Sequence, residues 1–344
     1  MIQGLDPPHP APPASSRRVL LLGATGTIGR ATLRALLARG HRVVCFLRAP
    51  AAFEGAEVRV GDVTDPASLA RDAFRGERFD AVVSCLASRT GAPKDAWAID
   101  CQAHLDVLEA ARLAGVEHVV LLSAICVQKP LLAFQRAKLA FETALIASGL
   151  RWTIVRPTAF FKSLSGQVER VRRGRPFLLF GDGTLTACKP IADDDLADYL
   201  AGCLDEETRW NRVLPIGGPG PAITPREQGE RLFALLGRPA KFQSAPVGLL
   251  DVIIAVLSAL GRLSPALAEK AELARIGRYY ATESMLVLDP VTGRYDAEAT
   301  PSTGTRTLFE FYAQVLAGAA SADLGDHAVF GVGGGRADRR QPAT

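Results

Sequence analysis

The sequence predicts an α/β fold with a doubly wound parallel sheet, and three observations carry that prediction. A short apolar run, RRVLLL at 17–22, leads straight into a glycine-spaced loop, Gly23-Ala-Thr-Gly26-Thr-Ile-Gly29. The loop opens onto a helical pattern in which Leu33, Leu36 and Leu37 recur at helical spacing as far as Gly40, and a second apolar run follows, HRVVCFL at 41–47. Further on, short apolar segments keep alternating with helical ones. Continuous apolar runs mark strands buried on both faces, and their alternation with helices implies parallel strands joined by right-handed crossovers.

The glycine spacing has a mechanical reason. Gly23 permits a tight turn out of the strand, Gly26 lets a pyrophosphate approach the backbone, and Gly29 allows close helix–strand contact. Free amides and the dipole at the helix start attract phosphates. Gly23, Thr25, Gly26, Thr27, Ile28 and Gly29 are therefore the expected phosphate cradle of a dinucleotide. At the end of the second strand an acid would hold the 2′-hydroxyl of NAD; here the chain reads Cys45-Phe-Leu-Arg48. Arg48 offers a bidentate partner for a 2′-phosphate, so the expected cofactor is NADPH. The competing reading is an arginine with no role beyond the surface.

The next elements follow in order: a strand EVRV (57–60), a helix after Pro66, a strand FDAVVSCLA (79–87) and a helix through about Ala114. Then come HVVLLSA (118–124), a helix from about Leu132 to Ser148, and RWTIVRP (151–157). Ligands of such sheets sit beyond the strand C-termini. That rim holds Asp62 and Val63, Ser84 to Ala87 with Leu86 and Ala87 toward the cofactor, Ser123, and Pro157 with Thr158. Asp62 either meets the adenine or simply forms a turn.

These features resemble the short-chain dehydrogenase/reductase superfamily, in its extended and atypical branch, over roughly Arg17–Gly218. That resemblance implies a Tyr-x-x-x-Lys pair on the helix after the fifth strand, where this chain reads Phe134-Gln-Arg-Ala-Lys138. The lysine is present and the tyrosine is not. Four residues make about one helical turn, so both side chains share a face. A carbonyl reductase needs the phenol to protonate an alkoxide, and Phe134 has no such proton. Ketone or alcohol chemistry is thus disfavoured, whereas hydride addition to an alkene conjugated to a large π-system survives. Lys138 is the expected catalytic residue, holding the nicotinamide ribose and supplying a positive field.

Composition narrows the class further. Hydrophobic residues at 48% and charged residues at 22% argue against wholesale disorder. A net charge of +4 is too mild to imply nucleic-acid binding. The six cysteines are scattered without a Cys-x-x-Cys pair, so they read as reduced, buried small hydrophobes and not as a disulfide or metal framework. Residues 1–16, rich in Pro, Ala and Ser, read as a floppy extension without a secretory signal, and 318–344 as a disordered tail. Between them the chain divides into a dinucleotide-binding domain at 17–218, with substrate-side insertions after 157, and a substrate-binding or lid region at 219–317. The apolar stretch PVGLLDVIIAVLSALGRLSP (246–265) is too interrupted to span a bilayer. It reads first as a core or lid helix, with a ligand wall or a membrane-leaning surface as the alternatives.

In the second half, Arg170–Arg175 is a basic patch, either solvated or facing substrate carboxylates. Ala192-Asp-Asp-Asp195 and Thr224-Pro225-Arg-Glu227 read as helix starts. The segment Tyr279-Tyr-Ala-Thr-Glu-Ser-Met-Leu-Val-Leu-Asp-Pro290, with TGRYDAEATPSTGTRTLFEFY (292–312), GATGTIG, FQRAKLAFETAL and VRPTAFFKSLSGQVE, is similar to divinyl (proto)chlorophyllide 8-vinyl reductases from Arg17 to about Leu316. What the resemblance implies is NADPH-dependent reduction of an 8-vinyl group to ethyl, with a tetrapyrrole as substrate. Phe134, Phe160, Phe161, Phe177 and Phe180 are then candidates to line a flat aromatic ligand, although aromatics at such spacing also build cores. The expected setting is cytoplasmic, with peripheral contact to photosynthetic membranes left open and no obligate protein partner. The competing readings are a non-catalytic NADP(H)-binding redox sensor, an assembly subunit of a membrane complex and, more weakly, a sugar-nucleotide epimerase.

Overall fold

The structure, a computed structural model, describes residues 16–320. The extensions expected at 1–16 and 318–344 lie outside the described residues apart from their innermost few. Seven parallel strands form the main sheet: β1 (Arg18–Leu22), β2 (Arg42–Leu47), β3 (Glu57–Val60), β4 (Ala81–Ser84), β5 (His118–Leu122), β6 (Arg151–Pro157) and, after the β7 strand (Phe177–Phe180) outside the sheet, β8 (Arg212–Ile216). Their order is β3-β2-β1-β4-β5-β6-β8. Leu22 lies opposite Phe46 of β2 and Ser84 of β4. The sequence order reverses between β1 and β4, and a crevice opens at such a switch point.

Alternation along β1 explains the two-sided core. Val19 and Leu21 pack with Leu33, Leu36 and Leu200 on one face; Leu20 and Leu22 pack with Phe79, Phe141 and Leu145 on the other. The first face is covered by α1 (Thr27–Ala38) and the second by α2 (His104–Leu113) and α3 (Ala133–Ile146). A further helix, α4 (Asp193–Gly202), returns to pack on α1. It starts where the acid run predicts, and three aspartates in its first turn complement the helix dipole. The strand expected at 79–87 is shorter than its apolar run. Its last residues leave the sheet to form the floor of the crevice.

A smaller lobe stands over the C-terminal edge of the sheet. It contains the parallel pair of β7 and β9 (Phe242–Ala245), α5 (Pro225–Leu235), the hairpin of α6 (Gly248–Gly261) and α7 (Pro265–Thr282), and α8 (Leu308–Leu316). Thr224 and Glu227 form a reciprocal capping box at the start of α5, and Thr307 with Glu310 repeats it at α8. Phe161, Phe177, Phe233, Tyr279 and Tyr312 belong to this lobe's own core.

Helix α6 corrects the core-helix expectation: none of its residues is buried. Leu250, Ile254, Leu257, Ser258 and Gly261 are its least exposed residues, while Asp251 stays half exposed. Asp251 pairs with Arg278 of α7, and Ser258 accepts a bond from Arg275 at 2.7 Å. Gly261 sits so close to α7 that a Cβ there would come within 2.9 Å of Ala268 Cα. The aliphatic side chains of Leu249, Val252, Ile253, Val256 and Leu260 therefore face outward, Val252 being 61% exposed. Among the described residues no helix is long and apolar enough to cross a membrane.

Candidate active site

Two of the three loop glycines do the packing work that their spacing predicts. Gly23 has φ +77°, and a Cβ there would lie 2.6 Å from the Cys85 carbonyl carbon; a Cβ on Gly29 would lie 2.0 Å from the Gly23 oxygen. Both are required for packing. A Cβ on Gly26 would meet only the Gly23 oxygen, at 3.4 Å, so this position is open on the ligand side. Helix α1 has no side-chain cap and no acid in its first turn, which leaves its first amides available to an anion. Lys162 reaches the same place, donating to Thr27 Oγ1 at 3.2 Å. This cradle fits the pyrophosphate of a dinucleotide.

From the cradle a cleft of about 1350 Å³ runs under the smaller lobe. Ordinary small-molecule sites hold roughly 300–1,000 Å³, so there is room for a nicotinamide and a second large ligand. Gly26, Thr27, Ile28, Gly29, Leu86, Ala87, Ser123, Phe134, Lys138, Pro157, Thr158, Phe160 and Phe177 all line it. Gly23, Thr25, Arg48, Asp62 and Val63 are not in its wall. Arg48 stands just past the end of β2, and its charge helps hold the Asp62 carboxyl below the usual range, after the Thr64 bonds that do most of this. Asp62 Oδ1 accepts from Thr64 N at 2.9 Å and Thr64 Oγ1 at 2.7 Å, so it builds a turn. Val63 is buried in the sheet core. Phe161 packs on Phe311 at 5.7 Å and belongs to the lobe core, while Phe177 meets Phe242 edge-on and presents only part of itself to the cleft. Thr158 donates to the Lys189 carbonyl and serves the backbone as much as the cleft.

Phe134, Lys138 and Glu142 occupy successive turns of one face of α3. Lys138 Nζ donates to Asp100 Oδ1 at 2.9 Å, with the lysine side chain 11% exposed and the aspartate fully buried. Ser88 holds the other oxygen, Oδ2, at 2.5 Å. Behind Asp100, His104 donates from Nδ1 to the Ile99 carbonyl at 2.8 Å, so its neutral Nε2 accepts from Ser84 Oγ at 2.8 Å. Burial, and then the Lys138 charge, push the His104 pKa down to about 4, which keeps the ring neutral. Ser123 gives its hydroxyl to Glu142, which also pairs with Arg156. Sequence reasoning missed Asp100, Ser88, His104 and Lys162. Contacts spanning up to 135 residues of chain leave no spacing signature. All six cysteines are free, five of them buried, as their apolar settings predict.

Fold and cleft together define a nucleotide-dependent protein of the Rossmann type, and a family model described as NAD(P)H-binding matches residues 23–207. A NADPH-dependent quinone oxidoreductase of Escherichia coli, solved with NADPH, superposes with a TM-score of 0.61. The match covers 87% of this chain and 99% of that one at 20% identity, a likeness of fold. The sequence comparison is closer. The chain is 50% identical to the divinyl chlorophyllide a 8-vinyl-reductase, chloroplastic, of Zea mays, over 94% of its own length and 85% of the relative's. It is 49% identical to the Arabidopsis thaliana protein of the same name, over 90% and 79%. This chain belongs to the divinyl chlorophyllide a 8-vinyl-reductase family, a family of oxidoreductases.

Proposed function

We propose that this chain reduces the 8-vinyl group of a divinyl chlorophyllide or protochlorophyllide to ethyl, using NADPH. The observation that carries the reading is the pairing of a buried, Asp100-held Lys138 with Phe134 where a carbonyl reductase would place tyrosine, inside a cleft large enough for a tetrapyrrole. The chemistry that the dinucleotide supplies when bound is hydride transfer to the outer vinyl carbon. Gly26 and the first amides of α1 hold its pyrophosphate, with Lys162 adding charge. Arg48 takes the 2′-phosphate, and Lys138 orients the nicotinamide ribose. With no phenol at position 134, negative charge has to spread over the macrocycle instead of resting on an oxygen.

Purified protein incubated with NADPH and divinyl chlorophyllide should give an ethyl product and a blue-shifted Soret band. Intact, cofactor-loaded protein that produces no shift would reject this function.

The outward apolar face of α6 supports a protein that leans on a membrane surface. Leaving Val252, Val256 and Leu260 facing water gains a soluble protein nothing. A lipid interface reverses that balance.

A further inference from the structure

We infer that Tyr280 of α7 delivers the proton that completes vinyl reduction, a phenol brought from the smaller lobe to a site whose own helix carries phenylalanine. This rests on the vinyl-reductase reading above. Ala266, Glu269, Leu273, Ile276 and Tyr280 recur at helical spacing and line the cleft from the opposite side to α3. The two helices converge at Gly91, where a Cβ would lie 3.0 Å from Ile276 Cδ1 and 3.5 Å from Phe134 Cδ1. One turn beyond Ile276 stands Tyr280, as one turn beyond Phe134 stands Lys138.

The two adjacent tyrosines are used differently. Tyr279 is buried, and its hydroxyl donates to the Cys126 and Lys129 carbonyls at 2.9 and 3.2 Å. Tyr280 is 37% exposed as a residue and belongs to the cleft lining, while its hydroxyl end is desolvated. The Cys126 thiol, itself under the Lys138 charge, lies close enough to influence the Tyr280 hydroxyl. Desolvation, with the Cys126 thiol beside it, raises the Tyr280 pKa well above its ordinary value, so the phenol keeps its proton until a stronger base appears.

Ser123 and His104 are already committed, and Glu269 is distant. Ser123 is bonded to Glu142, and His104 has both ring nitrogens engaged behind Asp100. Glu269 lies eleven residues before Tyr280 on α7, about 16 Å along the helix axis. Bound NADPH would supply the hydride by breaking a nicotinamide C–H bond and would be oxidised to NADP+. The new C–H bond forms at the outer vinyl carbon, and the former π pair moves to the inner carbon and the macrocycle. The Tyr280 O–H bond breaks, its proton forms the C–H bond at the inner carbon, and the phenolate recovers a proton from water at the cleft mouth.

The test compares single-turnover reduction by wild type, Tyr280→Phe and Tyr279→Phe, all full length. In Tyr280→Phe the rate should fall about 100-fold, the scale of a lost general acid. Its KM for the tetrapyrrole, NADPH affinity and melting temperature should stay near wild type. Its residual rate should also fall as pH rises from 6 to 8 and recover with added imidazolium, whereas the wild-type rate stays flat. Tyr279→Phe should lower the melting temperature and keep the rate within threefold. An unimpaired Tyr280→Phe rate, or a residual rate whose pH dependence parallels wild type, overturns the role of Tyr280 and leaves the vinyl-reductase reading standing. An inactive wild-type protein overturns both.

Discussion

Lys138 and Asp100 meet at 2.9 Å across 38 residues of chain, the lysine on α3 and the aspartate, fully buried, on the helical segment just before α2. The pair fixes the ammonium at the cleft floor. Removing one member of a buried pair strands the other charge and costs about 3–5 kcal/mol. Asp100→Asn should therefore lower the melting temperature and weaken activity at least tenfold. Lys138→Met should lower kcat/KM more steeply while restoring none of the lost stability. Circular dichroism melts and the Soret assay read both effects; an Asp100→Asn protein with wild-type melting and rate would show that the pair positions nothing.

Gly26 and Gly29 should respond in opposite ways. An added methyl at Gly29 would drive into the Gly23 carbonyl, so Gly29→Ala should lose folded protein. At Gly26 the same methyl has space on the protein side, so Gly26→Ala should fold with a near-normal melting temperature and bind NADPH at least tenfold more weakly. Thermal melts with and without cofactor separate these outcomes, and equal destabilisation would contradict the assigned division.

Arg48→Ala should weaken NADPH binding by more than tenfold and leave NADH binding within about twofold, because only the 2′-phosphate offers the guanidinium a dianion. Fluorescence titration with both cofactors is the measurement. Parallel losses would remove Arg48 from the selectivity role.

Acid should destabilise the fold through its buried histidines. Burial pushes His104 down to about 4 and His118 down to about 3, and it is the largest cause for both. Unfolding frees each ring to titrate near 6.5, so between about 4 and 6.5 the unfolded chain binds more protons and stability falls as pH falls. Asp193, pushed up to about 6 mainly by burial, works in the opposite direction below that pH and offsets part of the loss. Unfolding free energies from urea titrations at pH 7.5 and 5 should differ by about a few kcal/mol in the acid-destabilising direction, and His118→Gln should reduce the difference. A midpoint that rises on acidification would refute the assignment.

Wild-type protein should co-sediment with vesicles, and the double change Val252→Glu, Val256→Glu should abolish that binding while leaving Soret-assay turnover in detergent intact. Concentration-dependent dimers with no vesicle binding would instead make the α6 face an interface between copies.

Much of this protein is written locally. Every strand of the main sheet up to β6, the glycine cradle and the Phe134–Lys138 helix face follow from runs and spacings of a few residues, because strand burial and helical periodicity are short-range patterns. Helix α6 shows where that reading fails. Its composition announces burial, yet α7 covers only the side that carries Ser258 and Gly261, offering Arg275 and a close-packed Ala268, and hydropathy alone does not register which face a neighbour claims.

The sequence by itself determined the parallel α/β sheet, the dinucleotide cradle and the absence of a phenol at position 134. Only the tertiary structure decided that Asp100 and Ser88 fasten Lys138, that Lys162 reaches the α1 terminus, and that Tyr280 faces the cleft. Those relations join side chains from 12 to 135 residues apart, or from two separate lobes, and only the folded chain brings them together.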